Sequence, residues 1–195
     1  MRFLRKQTVW WLTVLSCTLQ AGLAASSSPT ALELAKEGNR YVGEQAKDKL
    51  VQIRSEKSVG GTIPTIWYVV YYDPTATFKA VEVKFGGGRM LDVKRPFRLL
   101  EPVTGGQQPL DLTKVKLDSD KAIALALKEP MLEKLTVEAT SAKLERGEGG
   151  LPVWKIRIWA AKLRNPREQA DLGEIILLAD DGTVVKNDLH INRVD

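Results

Sequence analysis

Ile66-Trp67-Tyr68-Val69-Val70-Tyr71-Tyr72 and, further along, Val153-Trp154-Lys155-Ile156-Arg157-Ile158-Trp159-Ala160-Ala161 decide how this chain is read. Both stretches are dense in β-branched and aromatic residues, which fit a pleated, half-buried surface, and both predict a strand. Successive strand side chains point to opposite faces. Trp67, Val69 and Tyr71 therefore share a face, matched by Trp154, Ile156 and Ile158, and this face predicts the core. The reverse faces differ. The second strand offers Lys155, Arg157 and Trp159, which tolerate water, whereas Tyr68, Val70 and Tyr72 of the first require a cover. The other half of the chain or the linker between the halves is expected to supply it, with an external ligand or partner the alternative.

Working outward, the same order of elements surrounds both strands. Thr30-Ala31-Leu32-Glu33 is a capping box, in which hydroxyl and carboxylate satisfy free amides at a helix start, and predicts a helix to about Lys49. Strands follow at 50–57, 66–72, 78–85 and 90–94, with Gly86-Gly87-Gly88 supplying the positive φ angles of a hairpin. In the second half Asp118-Ser119-Asp120 caps a helix carrying Ala122, Ile123, Leu125 and Ala126, and Pro130 kinks or ends it. Strands are predicted at 135–145, 153–161, 173–179 and 183–191, the last two joined by Asp180-Asp181-Gly182. Trp67 and Trp154 lie 87 residues apart and Gly88 and Gly182 lie 94 apart, the extra residues falling in a longer loop around Arg164-Asn165-Pro166-Arg167-Glu168. Pro102, Gly105-Gly106 and Pro109 mark the stretch between as a linker. The expected fold is α+β, two tandem helix-plus-antiparallel-meander modules: 25–96 and 118–195, joined by 97–117.

The second unit resembles a PepSY module. The resemblance rests on an Ala-containing amphipathic helix from Asp120 to Lys128, on Pro152-Val153-Trp154 opening a strand, and on Ile175-Ile176-Leu177-Leu178-Ala179-Asp180-Asp181-Gly182-Thr183-Val184-Val185, an apolar run followed by an acidic residue, a glycine and more apolar residues. It spans about 118–189, and 30–94 resembles the family more loosely. The first unit has Phe85-Gly86-Gly87-Gly88 where an acidic residue is usual, and the second carries a polar insertion from Arg164 to Asp171. The resemblance implies an α+β module found in propeptides of secreted peptidases and in envelope proteins, restraining a peptidase or binding an envelope protein, with no catalytic residue and no cofactor. Tandem modules without a peptidase domain imply a free-standing binding protein.

The amino terminus points to the same compartment. Arg2, Arg5 and Lys6 precede an apolar run from Thr8 to about Leu19, and Gly22-Leu23-Ala24 has small residues where a signal peptidase cuts, so residues 1–24 read as a secretory signal. About 12 apolar residues fall short of the roughly 20 a spanning helix needs, so no stable membrane span is expected after cleavage. Leu15-Ser16-Cys17 is similar to a lipoprotein cleavage box, but bulky Leu15 stands where a small residue is wanted. Lipidation of Cys17 is the minor alternative to a periplasmic or secreted protein. The signal holds three basic residues and no acidic one, so its loss takes the formal charge from +5 to +2 and removes the argument for a nucleic-acid partner. Cys17 is the only cysteine, so the mature chain has no disulfide, and roughly 170 residues must be held by their hydrophobic core.

Catalytic patterns are absent from the sequence. One histidine, His190, and no mature cysteine leave no nucleophile-and-base set and no multi-ligand zinc site. Asp118-Ser119-Asp120 and Asp180-Asp181-Gly182 read as a helix cap and a turn rather than a cation site, and no metal is expected. With 24 acidic residues, some carboxylate pairs arise by chance, which leaves an unfamiliar carboxylate hydrolase as a minor reading. An envelope structural or lipid-handling module is the other alternative. The candidate partner-binding residues are Lys155, Arg157 and Trp159 on the strand face and Arg164 and Arg167 on the polar loop beside it, because loops on a rigid sheet can vary without disturbing the core. Oligomeric state is open at this level. Intact-mass measurement of the exported protein is expected to place its first residue at Ala25 or within a residue or two; a retained Met1 or a diacylated Cys17 contradicts the signal reading.

Overall fold

The computed structural model describes residues 28–95 and 108–195; residues 1–24, expected to be a secretory signal and including Cys17, and most of the stretch expected to be a linker lie outside the described residues. Helix α1 (Ala31–Gly38) starts at the Thr30 capping box, with the Thr30 hydroxyl accepting from the Glu33 amide and the Glu33 carboxylate accepting from the Thr30 amide. It buries Ala31, Leu34 and Ala35 on the sheet and stops at Gly38, eleven residues short of Lys49. The cause is a close approach: a Cβ on residue 38 would lie 2.2 Å from the Tyr71 hydroxyl, which donates to the Ala35 carbonyl at 2.5 Å. Glycine fills that space but is a poor helix former, and the helix ends there.

Four strands follow: β1 (Leu50–Ser55), β2 (Ile66–Tyr72), β3 (Ala80–Gly86) and β4 (Arg89–Lys94), each antiparallel to the last. Gly87 and Gly88, both at positive φ, form the two-residue β3–β4 turn, whose twist matches that of the flanking strands. Helix α2 (Ser119–Ala126) precedes β5 (Val137–Arg146), β6 (Pro152–Ala161), β7 (Gln169–Leu178) and β8 (Val184–Leu189). Trp67 on β2 and Trp154 on β6 are both buried on the helix side, their indole N–H groups donating to the Pro64 and Leu117 carbonyls. β7 begins at Gln169, so the polar insertion is loop only over 162–168, and Asp171 is a strand residue opposite Trp159.

The chain does not build two tandem helix-plus-meander modules of the PepSY-like α+β kind. Among the described residues it forms a single eight-stranded antiparallel sheet in the order β4-β3-β2-β1-β5-β6-β7-β8, with α-helix limited to two eight-residue segments beside a few single turns of 3-10 helix. The physical reason lies in β1 and β5. Each would be the edge of a free-standing meander, with a row of unpaired amides and carbonyls; instead they pair with one another, Ile53 opposite Leu144 and Arg54 opposite Lys143. Ile53 and Leu144 are both fully buried and belong to one core that also holds Trp67, Phe85, Ile123, Trp154, Ile156 and Ile175. Part of the stretch read as linker is fastened too, since the Leu110 amide donates to the Leu50 carbonyl and Leu110, Val115 and Leu117 are buried.

The helices meet at their amino ends. The Asp118 carboxylate accepts from the Ser119 amide at 2.6 Å and from the Leu32 amide at 3.1 Å, and the Ser119 hydroxyl accepts from the Ala31 amide at 3.0 Å. Two residues of one helix start therefore satisfy orphan donors of both, and a carboxylate sits where two positive dipole ends converge. Asp118→Ala is expected to cost about 1–2 kcal/mol, the upper part of the range for a single cap because two helices lose an acceptor. Denaturant unfolding measures it; a loss below about 0.5 kcal/mol would show that the shared cap is dispensable.

Candidate functional site

One face of the sheet is packed beneath α1 and α2, and neither helix covers the other. On that open face the only apolar cluster among the described residues is small: Val51, Val70 and Ala80, with Tyr72 packed against them. Tyr68 is covered from within the sheet. The Arg54 guanidinium lies 4.0 Å from its ring centroid, the Lys84 ammonium 5.0 Å, and its hydroxyl donates to Glu56. Arginine and lysine stems can shield an aromatic ring while their charged heads stay wet. For Tyr68, the cover expected from the other half of the chain or the linker is supplied, among the described residues, by strands neighbouring β2.

Strand register arranges the charges in rows. Lys84, Tyr68, Arg54, Lys143 and Lys155 are successive cross-strand neighbours on β3, β2, β1, β5 and β6. One step along β6, Arg157 stands opposite Ser141 on β5 and Glu174 on β7. At the β1–β5 junction the face sinks into a depression of about 300 Å³ lined by Arg54, Ser55, Ser141, Ala142, Lys143, Lys155, Arg157 and Glu174. Local hydrogen bonding shows how the junction changes there. Past the Arg54–Lys143 pair, hydroxyls enter the ladder, with Ser55 Oγ accepting from the Ala142 amide and Ser58 Oγ from the Thr140 amide, each at 2.9 Å.

Carboxylates hold the cations in place. Glu82 binds Arg54 at 2.8 Å and lies 3.5 Å from Lys94; Glu145 binds Lys143 at 2.8 Å and Lys155 at 2.7 Å and accepts from Gln52. These carboxylates lie deeper than their partners: Glu82 is 2% and Glu145 18% exposed, against 35% for Arg54, 27% for Lys143 and 31% for Lys155. Burial pushes the Glu145 carboxyl upward, but the hydrogen bonds from the two lysines outweigh it and hold the group below its ordinary range. At Asp171 burial is likewise outweighed, here by the Arg157 hydrogen bond and the Gly173 amide.

Of the residues expected to bind a partner, Lys155 and Arg157 line the depression, and Trp159 follows Arg157 on the same face. The Trp159 ring lies 4.8 Å from the Lys57 ammonium, a contact across the β1–β5 junction, and 5.9 Å from the Arg157 guanidinium. Arg164 and Arg167 are exposed on the 162–168 loop beyond the end of β6 and do not line the depression. Sequence reasoning missed Arg54, Lys143, Ser55 and Ser141. Alternation in β5, with Ala142 and Leu144 inward and Ser141, Lys143 and Glu145 outward, marks the face of Lys143; no local signal places β1 beside β5.

A second cleft, about 360 Å³, lies on the helix side between α1, β2 and residues 112–115, walled by Leu32, Ala35, Leu50, Tyr71, Leu112 and Val115. Among the described residues no group of three or more His, Cys, Asp or Glu side chains is placed to hold a metal ion. No family model, curated protein or solved structure matches the chain.

Because the folded Glu145 carboxyl lies below its ordinary value, its ion pairs contribute stability at neutral pH that is lost as the pH falls below about 4 and through the folded value. Glu145→Gln removes that titration. Its melting temperature is expected to decline less steeply with acid than the wild type's, measured from pH 7 to pH 2; parallel profiles would show that the Glu145 pairs contribute nothing to folding.

Proposed function

We propose that the protein is an exported, non-catalytic binding protein that engages its partner with the open face of the sheet. The observation that carries this reading is a face that, among the described residues, has no helix layer and on which Arg54, Lys143, Lys155 and Arg157 surround a depression at the β1–β5 junction. Charges on a rigid sheet are held in place before a partner arrives, which lowers the ordering cost of binding. Two further observations support the reading. Arg54, Lys143 and Lys155 are more exposed than the Glu82 and Glu145 carboxylates paired with them, and Trp159, a residue type enriched at interface hot spots, borders the cation cluster. Among the described residues no helix is long and apolar enough to cross a membrane. Peptidase restraint, which the PepSY resemblance implies, is the form the proposal takes if the partner is a peptidase.

The lipid-handling alternative rests on the cleft beneath α1. Its roughly 360 Å³ is at the small end of the range for ligand sites, about 300–1,000 Å³, and Lys36, Asn39 and Asp48 contribute to its lining. A fluorescent fatty acid that fails to bind removes this alternative.

Trp159→Ala and Arg157→Ala are each expected to weaken capture of an envelope partner by at least about tenfold, or about 1.4 kcal/mol. Joint replacement of Arg164 and Arg167 by alanine is expected to give a smaller loss, with stability within about 0.5 kcal/mol of wild type since both side chains are exposed. Surface-immobilised protein and envelope extract, followed by titration of the captured species, measure all three. Wild-type capture by both strand variants would remove the open face as the contact surface.

A further inference from the structure

Joining β1 to β5 leaves two outer edges, β4 and β8, with no further strand beside either among the described residues. An edge strand presents backbone donors and acceptors to any chain that can pair with it. On β8 the groups that turn outward can be identified. The His190 amide donates to the Leu172 carbonyl at 2.7 Å, and the Asp188 carbonyl faces β7 so closely that a Cβ on Gly173 would lie 2.1 Å from it. Backbone direction alternates along an antiparallel strand, so Asn187 and Leu189 point theirs away from β7. Within the chain the Leu189 amide is met by the Asn187 side chain at 3.2 Å. Apolar groups flank this edge: Val184 and Val185 are exposed, as is Met131, whose sulfur lies 3.9 Å from Asn187 Nδ2. On the open side stand Lys186 and Asp188, opposite Ile176 and Glu174 of β7. Asp188 therefore faces a like charge across the strand pair. Near it lie Lys186 at 3.5 Å and His190 at 3.7 Å, with Arg157 and Arg193 lining the same shallow pocket.

We infer that β8 pairs with β8 of a second copy of this chain, antiparallel, about a two-fold axis between the two Asn187 residues. The outward backbone groups of Asn187 then meet those of its equivalent, and Lys186 of each copy stands opposite Asp188 of the other, twice by symmetry. Charge selects this register. Moving the axis one residue back, to Lys186, opposes two lysines, and moving it one residue on, to Asp188, opposes two aspartates; like charges directly opposite destabilise a sheet. In the selected register each Asp188, already beside Glu174, gains an opposite charge from the partner. Val184, Val185 and Met131 come to lie along the seam, where a second copy removes them from water. The inference does not rest on the open-face reading. The two bear on one another, however, because a two-fold axis normal to a sheet preserves its faces, so the open faces of both copies lie on the same side of one continuous sheet.

Size-exclusion chromatography of the purified protein with light scattering, over a range of concentrations, tests the inference. A monomer–dimer equilibrium is expected. Lys186→Glu alone opposes acidic groups twice and Asp188→Lys alone opposes lysines twice, so each is expected to weaken the dimer at least about tenfold. Mixed in equal amounts, the two variants are expected to form a heterodimer of wild-type affinity, because each supplies the charge that the other lacks. Mixing would not mend a fault in the fold of either variant, and far-ultraviolet circular dichroism checks each fold directly. A protein that stays a monomer up to about 100 µM, where even weak specific pairing is populated, overturns the inference. So does a dimer that neither substitution weakens, or one that mixing fails to restore. Growth beyond the dimer into open polymers also overturns it, since a head-to-tail joint of β4 with β8 gives that result.

Discussion

The pairing of β1 with β5 is the contact on which the rest of this structure depends. Two four-stranded runs that would each end in a raw edge are joined where Ile53 meets Leu144 on the buried face and Arg54 meets Lys143 on the open one. An unpaired edge invites association with other chains, and satisfying one edge with another removes the hazard at the centre of the molecule. The same junction merges the apolar surfaces beneath the helices into a single core. It also creates the charged face, because the two runs bring their cations into one row only when they are placed side by side.

The helix side repeats this dependence in another form. Asp118 and Ser119 cap α2 and also accept from the first amides of α1, so the helix starts are positioned relative to one another by hydrogen bonds that water would otherwise supply. A buried amide without an acceptor is costly, and Ser119 with its bond to Ala31 is buried. The two halves are therefore coupled above the sheet as well as within it. The described residues, which include no cysteine, are held by such satisfied polar contacts as well as by apolar burial.

On the open face, the register of the cations carries a cost that neighbouring side chains offset. Opposing cations weaken the sheet, and the carboxylates of Glu82 and Glu145 offset that cost from below. Tyr68 and Trp159 give further support by receiving cations on their rings. These contacts hold the positive groups in place on the sheet before any partner arrives, which is what the proposed contact surface requires.

Local chemistry made much of this legible in advance. Alternation assigned Trp67, Val69, Tyr71, Trp154, Ile156 and Ile158 to the buried face, where they lie, because strand periodicity is a property of consecutive residues. The Thr30 box and the glycines at 87 and 88 likewise carried their own geometry. Lys155, Arg157 and Trp159 could be placed on one face for the same reason. What the local pattern could not contain was the partner of β1 and β5, since pairing between residues some 90 positions apart leaves no mark on either strand. Gly38 ended α1 early only because Tyr71 comes to lie against it, and Arg54 and Lys143 became neighbours only through the junction. Sequence by itself determined which side chains face together along each strand; tertiary structure decided which strands meet, because an edge is satisfied by whichever complementary edge the folded chain brings within hydrogen-bonding distance.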